Sequence, residues 1–446
     1  MAITVTATGD SLFTADFPEE YEKKRASLDA FMGDCDVKIT NLETNLSDFG
    51  SFPNQYSGGT WINTRKELLG HLASFGFNFY GTANNHCMDY SYAGLLSTID
   101  FLDEKGYAHA GTGRSLDDAE KPAVIRLKNG KTAAIFAVDA SMELPSMAGK
   151  ASKMFQARAG VNYLRHKTVY TVSERDMADL KRIAEATAIN FLRDGEIATG
   201  YIIPDPEGLF VFGNTTFTTD RSVPASECNE KDLRRLTDNI RKAKAENDLV
   251  LILVHCHDEE GTSSVTPPAY LKEFCRAAID AGAGAVFGGG CHELRGMEMY
   301  RGKPIFYSLG DFIYQGMRVE HLPPDFMGKY GVDVNATAKE GLAARSQGGK
   351  IGLQTNEKNF LTVIPKITFD GDEIIDITLM PVKLGFQTGD EKLEGLPYFA
   401  MGEEGEKIFG KYRKLSADLG TELVFENGYI KVSKIKEVYH SGSYSP

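Results

Sequence analysis

Short apolar runs typical of β-strands alternate with helical patterns along most of this chain. An extended run at residues 3–8 precedes a helical pattern at 19–32, and further along a helical pattern at 231–246 precedes the most apolar strand, at 249–254. Such alternation needs a sheet to receive the strands and helices to cover its faces. The sequence therefore predicts an α/β protein.

The alternation is interrupted twice, and the interruptions divide the chain. Residues 140–230 are polar, contain one clear helical pattern at 174–192, and are expected to form an insertion over the core. Residues 316–358 form a long excursion rich in Gly, Lys and Asp, and such excursions are commonly functional or mobile. We therefore expect a core at 1–315 that carries the insertion, and a part at 316–446 whose strands and helix complete the same domain.

Composition narrows the classes of partner and compartment. Of the 446 residues, 42% are hydrophobic and 25% are charged, as in globular proteins. The 62 acidic residues exceed the 49 basic ones, and the net charge of −13 argues against nucleic acid as the main partner. No stretch is apolar over the roughly 18 residues that a membrane span requires. The early strand leaves no room for a signal peptide and no C-x-x-C pair occurs, so the sequence predicts a cytoplasmic protein.

Polar side chains follow five of the predicted strands at the point where each strand ends. Open α/β sheets bind ligands at the carboxyl ends of their strands, so these segments are expected to converge on one cleft. Their side chains are those that bind Zn, Mn or Fe in catalytic sites. The residues are Asp10 after the first strand, Asn41 and Glu43 after the second, Asn84, Asn85 and His86 after the third, His255 and His257 after the strand at 249–254, and His292 after the strand at 285–287.

Each of these segments, taken alone, also fits a structural role. A Gly-Asp pair after a strand is commonly a turn, and Asn85 could cap a helix. Their five equivalent positions together favour a divalent-metal site, towards which His255 and His257 project from the same side of their strand. Three cysteines adjoin histidines of these segments and are expected to be small buried side chains that fill space in the core: Cys87, Cys256 and Cys291.

Two further features have alternative interpretations. In the insertion, Arg158 and Arg165 match a carboxylate or a phosphate, although surface arginines in a loop are equally common. The run Gly288, Gly289 and Gly290 either lets the backbone approach a ligand closely or forms a tight turn. The G-x-S-x-G motif is absent, which disfavours a serine hydrolase of the nucleophile-elbow type.

Several motifs together resemble the CapA-like family of capsule (poly-γ-glutamate) synthesis proteins, a branch of the calcineurin-like metallophosphatase superfamily. The Ala-Asn-Asn-His block that ends at His86 and the Pro-Ile-Phe-Tyr-Ser-Leu-Gly-Asp-Phe block that ends at Phe312 are the most specific matches. The similarity runs over nearly the whole chain. It implies a four-layer α/β/β/α metallophosphatase-like sandwich with insertions and a metal centre at the strand ends.

The resemblance also implies roles for individual residues. His86 falls on the histidine that acts as general acid in the phosphatases. Leu12 and Gly290 stand where the superfamily has histidines, so one or two bound ions (Mn, Zn or Fe) are both compatible with the sequence. His257 is expected to substitute for a missing ligand. The superfamily's metal-site positions are occupied by Asp10, Glu43, Asn85, His255 and His292.

The family resemblance favours a metal-dependent enzyme that hydrolyses a peptide or poly-γ-glutamate-type amide. A metal ion would polarise the carbonyl or activate water. Asp10, His86 and His292 would move protons, and Arg158 and Arg165 would hold a substrate carboxylate. One alternative is a peptide epimerase that inverts an α-carbon with Asp10 and His292 as its acid–base pair. Another is a non-catalytic component of polyglutamate capsule synthesis or export. The sequence indicates no oligomeric state.

Overall fold

The computed structural model describes residues 2–433 as five β-sheets with α-helices around them. Residues 434–446 of the predicted C-terminal part lie outside the described residues. The strands are β1 (Ile3–Leu12), β2 (Val37–Leu42), β3 (Asn45–Leu46), β4 (Asn63–Thr64), β5 (Phe79–Gly81), β6 (His109–Ala110), β7 (Thr112–Gly113), β8 (Ala123–Arg126), β9 (Thr132–Asp139), β10 (Gly160–Val161), β11 (His166–Thr171), β12 (Phe210–Phe212), β13 (Thr215–Thr218), β14 (Ser226–Cys228), β15 (Leu249–Cys256), β16 (Ala285–Gly290), β17 (Leu294–Tyr300), β18 (Lys303–Leu309), β19 (Asp311–Tyr314), β20 (Leu361–Asp370), β21 (Glu373–Leu384), β22 (Pro397–Phe399), β23 (Leu423–Glu426) and β24 (Tyr429–Val432).

The helices lie between these strands as the alternating pattern predicts. They are α1 (Tyr21–Gly33), α2 (Leu69–Ala73), α3 (Ser91–Lys105), α4 (Leu116–Ala119), α5 (Glu174–Thr187), α6 (Phe191–Ala198), α7 (Glu230–Glu246), α8 (Ala269–Asp280), α9 (Pro324–Lys329), α10 (Ala338–Arg345) and α11 (Glu403–Ala417). No helix in the described part of the chain combines the length and the apolar character needed to cross a membrane.

The first large sheet has ten strands and joins the two ends of the described chain. Its main path runs β23–β24–β21–β20–β1–β2–β5–β6, with β19 paired to β1 and β22 to β21. β1 pairs in parallel with β2 and antiparallel with β20. The C-terminal strands therefore extend the sheet that the N-terminal strands begin.

The second large sheet has six strands in the order β17–β18–β16–β15–β9–β8. Its central strands are apolar on both faces because both faces are covered. In β9, Ile135 packs in the layer between the two sheets, whereas its neighbour Phe136 faces α7 and α8. In β15, Leu251 and Ile252 divide between the same two layers. Each fully buried side chain of this kind stabilises the fold by about 1.5–3 kcal/mol.

Three apolar layers hold the two sheets and their helices together. One lies between the sheets, one between the second sheet and α7 and α8, and one between the first sheet and α1, α2 and α3. Helix α11 contacts β17 and β21, one from each sheet. This order of helix, sheet, sheet and helix confirms the predicted α/β/β/α sandwich.

The insertion differs in detail from the sequence prediction. A single helix was expected at 174–192, but α5 ends at Thr187 because Ala188 adopts a left-handed backbone with φ of 51°. A second helix, α6, then begins at Phe191. Strands β11–β14 form a small four-stranded sheet that the polar pattern of this segment did not indicate.

The carboxyl end of β1 is packed against the end of β18 with no room for a side chain. A Cβ atom on Gly9 would lie 1.7 Å from the carbonyl oxygen of Gly310. This close approach lets β19 pair with β1, with Asp10 and Asp311 as register partners. The two carboxylates therefore reach the same point from two neighbouring strands.

Gly9→Ala is expected to destabilise the protein by about 3 kcal/mol, because backbone rather than a flexible side chain blocks the added methyl group. Gly33→Ala is the matched control, since a Cβ there meets nothing within 4 Å at the end of α1. Alanine should be neutral or slightly stabilising at that position. Urea unfolding of both variants measures the difference in their free energies of unfolding, and equal values would contradict the close packing of Gly9 against Gly310.

Candidate metal centre

The carboxyl ends of β1, β2, β5, β15 and β16 meet at one buried place. All six residues predicted as metal ligands are brought together there. Four of them, Asp10, Glu43, His255 and His292, are buried. Parallel strands end at the same edge of a sheet, which explains the convergence. The remaining two ligands, Asn85 and His257, lie against His255.

Three ligating atoms face the Nε2 atom of His255. Asn85 Oδ1 lies at 2.8 Å, His257 Nε2 at 3.2 Å and Glu43 Oε1 at 3.5 Å. At most one proton can bridge any two of these atoms, so hydrogen bonds alone do not satisfy all four of them. A divalent cation can accept a lone pair from each atom, and these atom types are ligands of divalent metals.

A second group of ligands shares Glu43 with the first. Oxygen atoms of Asp10, Glu43 and Asp311 lie within 4.8 Å of one another, as do ligand atoms of Glu43, His257 and His292. The arrangement thus offers positions for one or two ions, with Glu43 common to both groups.

Glu43 supplies the test of whether these residues fit a metal. Both of its carboxylate oxygens are buried and have no hydrogen-bond partner within residues 2–433. Burial, and then the charges of Asp10 and Asp311, raise the pKa of Glu43 well above its usual value. A buried carboxylate with no partner is strongly unfavourable. The oxygen and nitrogen donors around Glu43 are those that bind divalent cations, so these residues fit a divalent metal ion.

Asp10 is held in its ionised form by its neighbours. Its Oδ1 accepts a hydrogen bond from Asn41 at 2.6 Å and its Oδ2 accepts one from the Gly290 amide at 2.6 Å. Burial acts in the opposite direction, but His255 and these hydrogen bonds hold the pKa of Asp10 below its usual value. A Cβ on Gly289 would lie 2.5 Å from Asp10 Oδ1. The glycine run therefore makes room for this carboxylate.

His292 and His257 differ in their electrostatic surroundings. His292 Nδ1 lies 2.8 Å from Asp311 Oδ1. Burial would lower the pKa of His292, but the Asp311 carboxylate raises it overall. His257 has no such partner, and burial together with the charges of His255 and His292 holds its pKa well below the usual value. His257 is therefore neutral, which is the form that binds metals.

His86 belongs to a third part of the centre. Its Nδ1 lies 2.6 Å from Asp89 Oδ2, and its Nε2 lies 3.9 Å from Glu43 Oε1. Asp89 also accepts hydrogen bonds from the backbone amides of Gly58 and Ile62. Because a carboxylate only accepts, Nδ1 donates to Asp89 and Nε2 faces the metal ligands. The role of general acid, which the resemblance implies for His86, stays a prediction.

A cleft of about 380 Å³ opens beside the centre, with Asn85 and His257 among its lining residues. Arg165 also lines the cleft, but its guanidinium forms two hydrogen bonds with Asp232, at 2.7 and 2.9 Å. Arg158 is exposed, donates to the Met147 carbonyl, and is not among the lining residues. The structure therefore brings Arg165 near the centre as an already paired cation and does not bring Arg158 to the cleft.

Comparison with known proteins gives the family. The model of the family described as "Bacterial capsule synthesis protein PGA_cap" matches residues 4–316. The chain belongs to this bacterial capsule synthesis protein family. That result confirms the CapA-like resemblance seen in the motifs.

The relatives of this chain carry different names. An uncharacterized protein, y4sH, of Sinorhizobium fredii is 28% identical over 441 residues, which cover 95% of this chain and 91% of the relative. The PGA biosynthesis protein CapA of Bacillus subtilis is 24% identical over 57% of this chain and 47% of its own length. A probable polyglutamine synthesis accessory protein of Mycobacterium tuberculosis is 24% identical over 63% of this chain and 57% of its own.

Sequence reasoning assigned no role to two buried acids of this family member. Asp311 lies beside Asp10 and holds His292. The Gly-Asp pair near the carboxyl end of β1 recurs at Gly310 and Asp311, a signal that could have revealed it. Asp139 ends β9 as the register partner of His255 and has an unpartnered buried oxygen. Burial raises the pKa of Asp139 to about 6. Asp139 was not predicted because it ends the long apolar run of β9, a pattern that indicates a buried strand rather than a site.

The cysteines of this family member have no ligand role in the described geometry. Cys87 and Cys256 are buried, whereas Cys291 is half-buried, contrary to the prediction for it. Burial raises the pKa of Cys256 to about 11. The Sγ atom of Cys256 lies 3.2 Å from the hydroxyl of Tyr270 in the helix-facing layer. A thiol in such surroundings stays protonated, which agrees with the predicted packing role.

Glu43→Gln is expected to have opposite effects on the metal-free and the metal-loaded protein. The raised pKa of Glu43 means that the metal-free protein loses stability as the pH rises above 4.5, the ordinary Glu value, and glutamine removes this loss. A divalent ion at 100 times its Kd should stabilise the wild type by about 2.7 kcal/mol. That gain should vanish in the variant. Thermal unfolding with chelator and with Mn²⁺, Zn²⁺ or Fe²⁺ measures both effects.

Glu22→Gln in the first turn of α1 is the control for the loss of one acidic charge. It should leave the metal-induced stabilisation unchanged. Equal stabilisation of wild type and Glu43→Gln would contradict the placement of a metal at this centre.

Proposed function

We propose that this protein is a metal-dependent hydrolase that cleaves amide bonds in a peptide or poly-γ-glutamate-type chain. The observation that carries the proposal is the His86–Asp89 pair, which points a ring nitrogen at the cluster of metal ligands from 3.9 Å away. Amide hydrolysis requires an acid that protonates the leaving amine next to an activated carbonyl. His86 would supply the acid, and a divalent ion held by the neighbouring residues would activate the carbonyl.

The residues that would hold the metal are Asp10, Glu43, Asn85, His255, His257 and His292, with Asp311 in addition. Mn, Zn and Fe suit this mixture of oxygen and imidazole donors. A divalent ion at this place would supply Lewis acidity, polarising a carbonyl oxygen or lowering the pKa of water. The glycine-rich end of β16 fixes the carboxylate of Asp10 for this task.

The proton transfer to the leaving group falls to His86. Asp89 keeps the proton of His86 on Nδ1 when the ring is neutral, so Nε2 is the atom that takes up a proton and gives it to the leaving nitrogen. Asp311 has the equivalent relation to His292 through Nδ1. The Nε2 atom of His292 is thereby left to bind the metal. Each transfer of this kind is worth about 10²–10⁴-fold in rate.

Hydrolysis is preferred to epimerisation because of the environment of Asp10. Its two oxygens accept hydrogen bonds from Asn41 and from the Gly290 amide, and His255 lies 3.5 Å away. These partners lower the pKa of Asp10 and leave it a weak base. Removal of a proton from an α-carbon needs a strong, accessible base, so Asp10 is a poor partner for His292 in an inversion.

The names of two relatives bear on the substrate. One is called a PGA biosynthesis protein and another a probable polyglutamine synthesis accessory protein, which is why a polyglutamyl chain is the proposed substrate. The word accessory also makes a non-catalytic role in polymer synthesis the second candidate. The buried histidine–aspartate pairs favour catalysis, since a binding role needs no proton transfer.

The cytoplasm is the proposed compartment. All six cysteines are free thiols. Unpaired cysteines are usual where glutathione and thioredoxin keep thiols reduced.

His86→Ala is expected to reduce turnover of oligo-γ-glutamate by about 10²-fold or more, because it removes the proposed proton donor. Metal content should not change, since His86 is outside the ligand set. His109→Ala is the matched control: its Nε2 also lies close to a carboxylate, 3.1 Å from Asp103, but at β6 on the sheet edge. Release of primary amine and elemental analysis of the purified proteins measure both quantities.

Each of the other candidates predicts a different result. Incorporation of ²H at the α-carbon in D₂O without amine release would replace hydrolysis with epimerisation. Tight binding of the oligomer with neither reaction, in the presence of Mn²⁺, Zn²⁺ and Fe²⁺ in turn, would favour the accessory role.

A further inference from the structure

Residues 316–358 form part of the rim of the candidate metal centre. Leu342 of α10 packs in one apolar cluster with Trp61 and Tyr314. The ring of Tyr314 lies 5.8 Å from the ring of His292. The excursion that the sequence set apart is therefore joined to the site by a packed contact.

Arg345, the last residue of α10, contacts a segment beside the centre, outside the residues that line the cleft itself. Its guanidinium donates a hydrogen bond to the hydroxyl of Thr60. Thr60 lies in the segment whose amides, from Gly58 and Ile62, hold the carboxylate of Asp89. Arg345 is thus anchored next to the partner of His86.

Arg345 is half-buried, and no carboxylate within residues 2–433 forms an ion pair with it. Arg165 differs in this respect, because its guanidinium already donates two hydrogen bonds to the carboxylate of Asp232, at 2.7 and 2.9 Å. A half-buried guanidinium with unoccupied donors is well suited to a planar anion, which it binds through two parallel hydrogen bonds.

We propose that Arg345 binds a carboxylate of the substrate and so gives the site its preference for polyglutamyl chains. This assignment rests on the proposed function and specifies its substrate. A cation beside the centre can pair with the carboxylates that the side chains next to the reacting amide carry.

Binding of a fluorescently labelled oligo-γ-glutamate to the full chain, measured by anisotropy, tests the proposal without turnover. Arg345→Gln should weaken binding by about 10–100-fold, the usual effect of losing a charge-assisted hydrogen-bonded pair. Lys339→Gln is the matched control, since it removes the same charge from the same helix at an exposed residue paired with Glu391. It should bind as the wild type does.

Two further arms make the result specific. The same oligomer with its side-chain carboxylates converted to amides should bind wild type and Arg345→Gln equally. Arg345→Lys keeps the charge but loses the two parallel donors of the guanidinium, so its affinity for the oligomer should fall between those of the wild type and Arg345→Gln. Circular dichroism and thermal unfolding establish that each variant is folded.

Wild-type affinity in Arg345→Gln, an equal loss in Lys339→Gln, or no binding of the oligomer to the wild type would each overturn the assignment. Its failure and that of the proposed function are distinguishable. Arg345-dependent binding without amine release would leave the assignment standing and refute hydrolysis. Amine release that depends on His86 but not on Arg345 would do the reverse.

Discussion

The buried carboxylate of Glu43 is the constraint on which the centre depends. It lies among other buried acids and has no hydrogen-bond partner in the described part of the chain. Acids packed this closely repel one another and would rather be protonated, as the raised pKa of Glu43 reflects. A divalent cation would remove the conflict and would thereby link stability to metal binding at this residue.

The fold supplies this arrangement through the ends of its parallel strands. β1, β2 and β5 belong to one sheet and β15 and β16 to the other, so the ligands come from both sides of the central apolar layer. Glycine is required where strands approach most closely: Gly9 lies against Gly310, and Gly289 against Asp10. A buried sandwich of this size holds such ligands rigidly, which favours a defined metal geometry.

Much of the fold and of the centre was predictable from the sequence. Strand periodicity and the polar residues after each strand located Asp10, Glu43 and His255, because these patterns arise from burial and chain direction alone. Asp311 was not identified, since its role depends on β19 pairing with β1, a contact between residues far apart in the chain. The break of α5 at Ala188 depends on a local left-handed conformation that helical periodicity does not indicate.

The arginines show the same division between local pattern and tertiary context. Arg158 and Arg165 are close in sequence and attractive as anion ligands, yet Asp232 of α7 neutralises one and the other is exposed. Arg345 stands in a glycine-rich excursion with no motif around it, and only the packing of α10 on Tyr314 brings it to the centre. The proposed metal ligands thus belong to the sandwich, whereas the cation proposed to bind the substrate belongs to a connecting segment. Such segments change more readily than the strands they join. Under the proposed function, a change in this segment would alter the substrate that is bound and leave the proposed metal ligands in place.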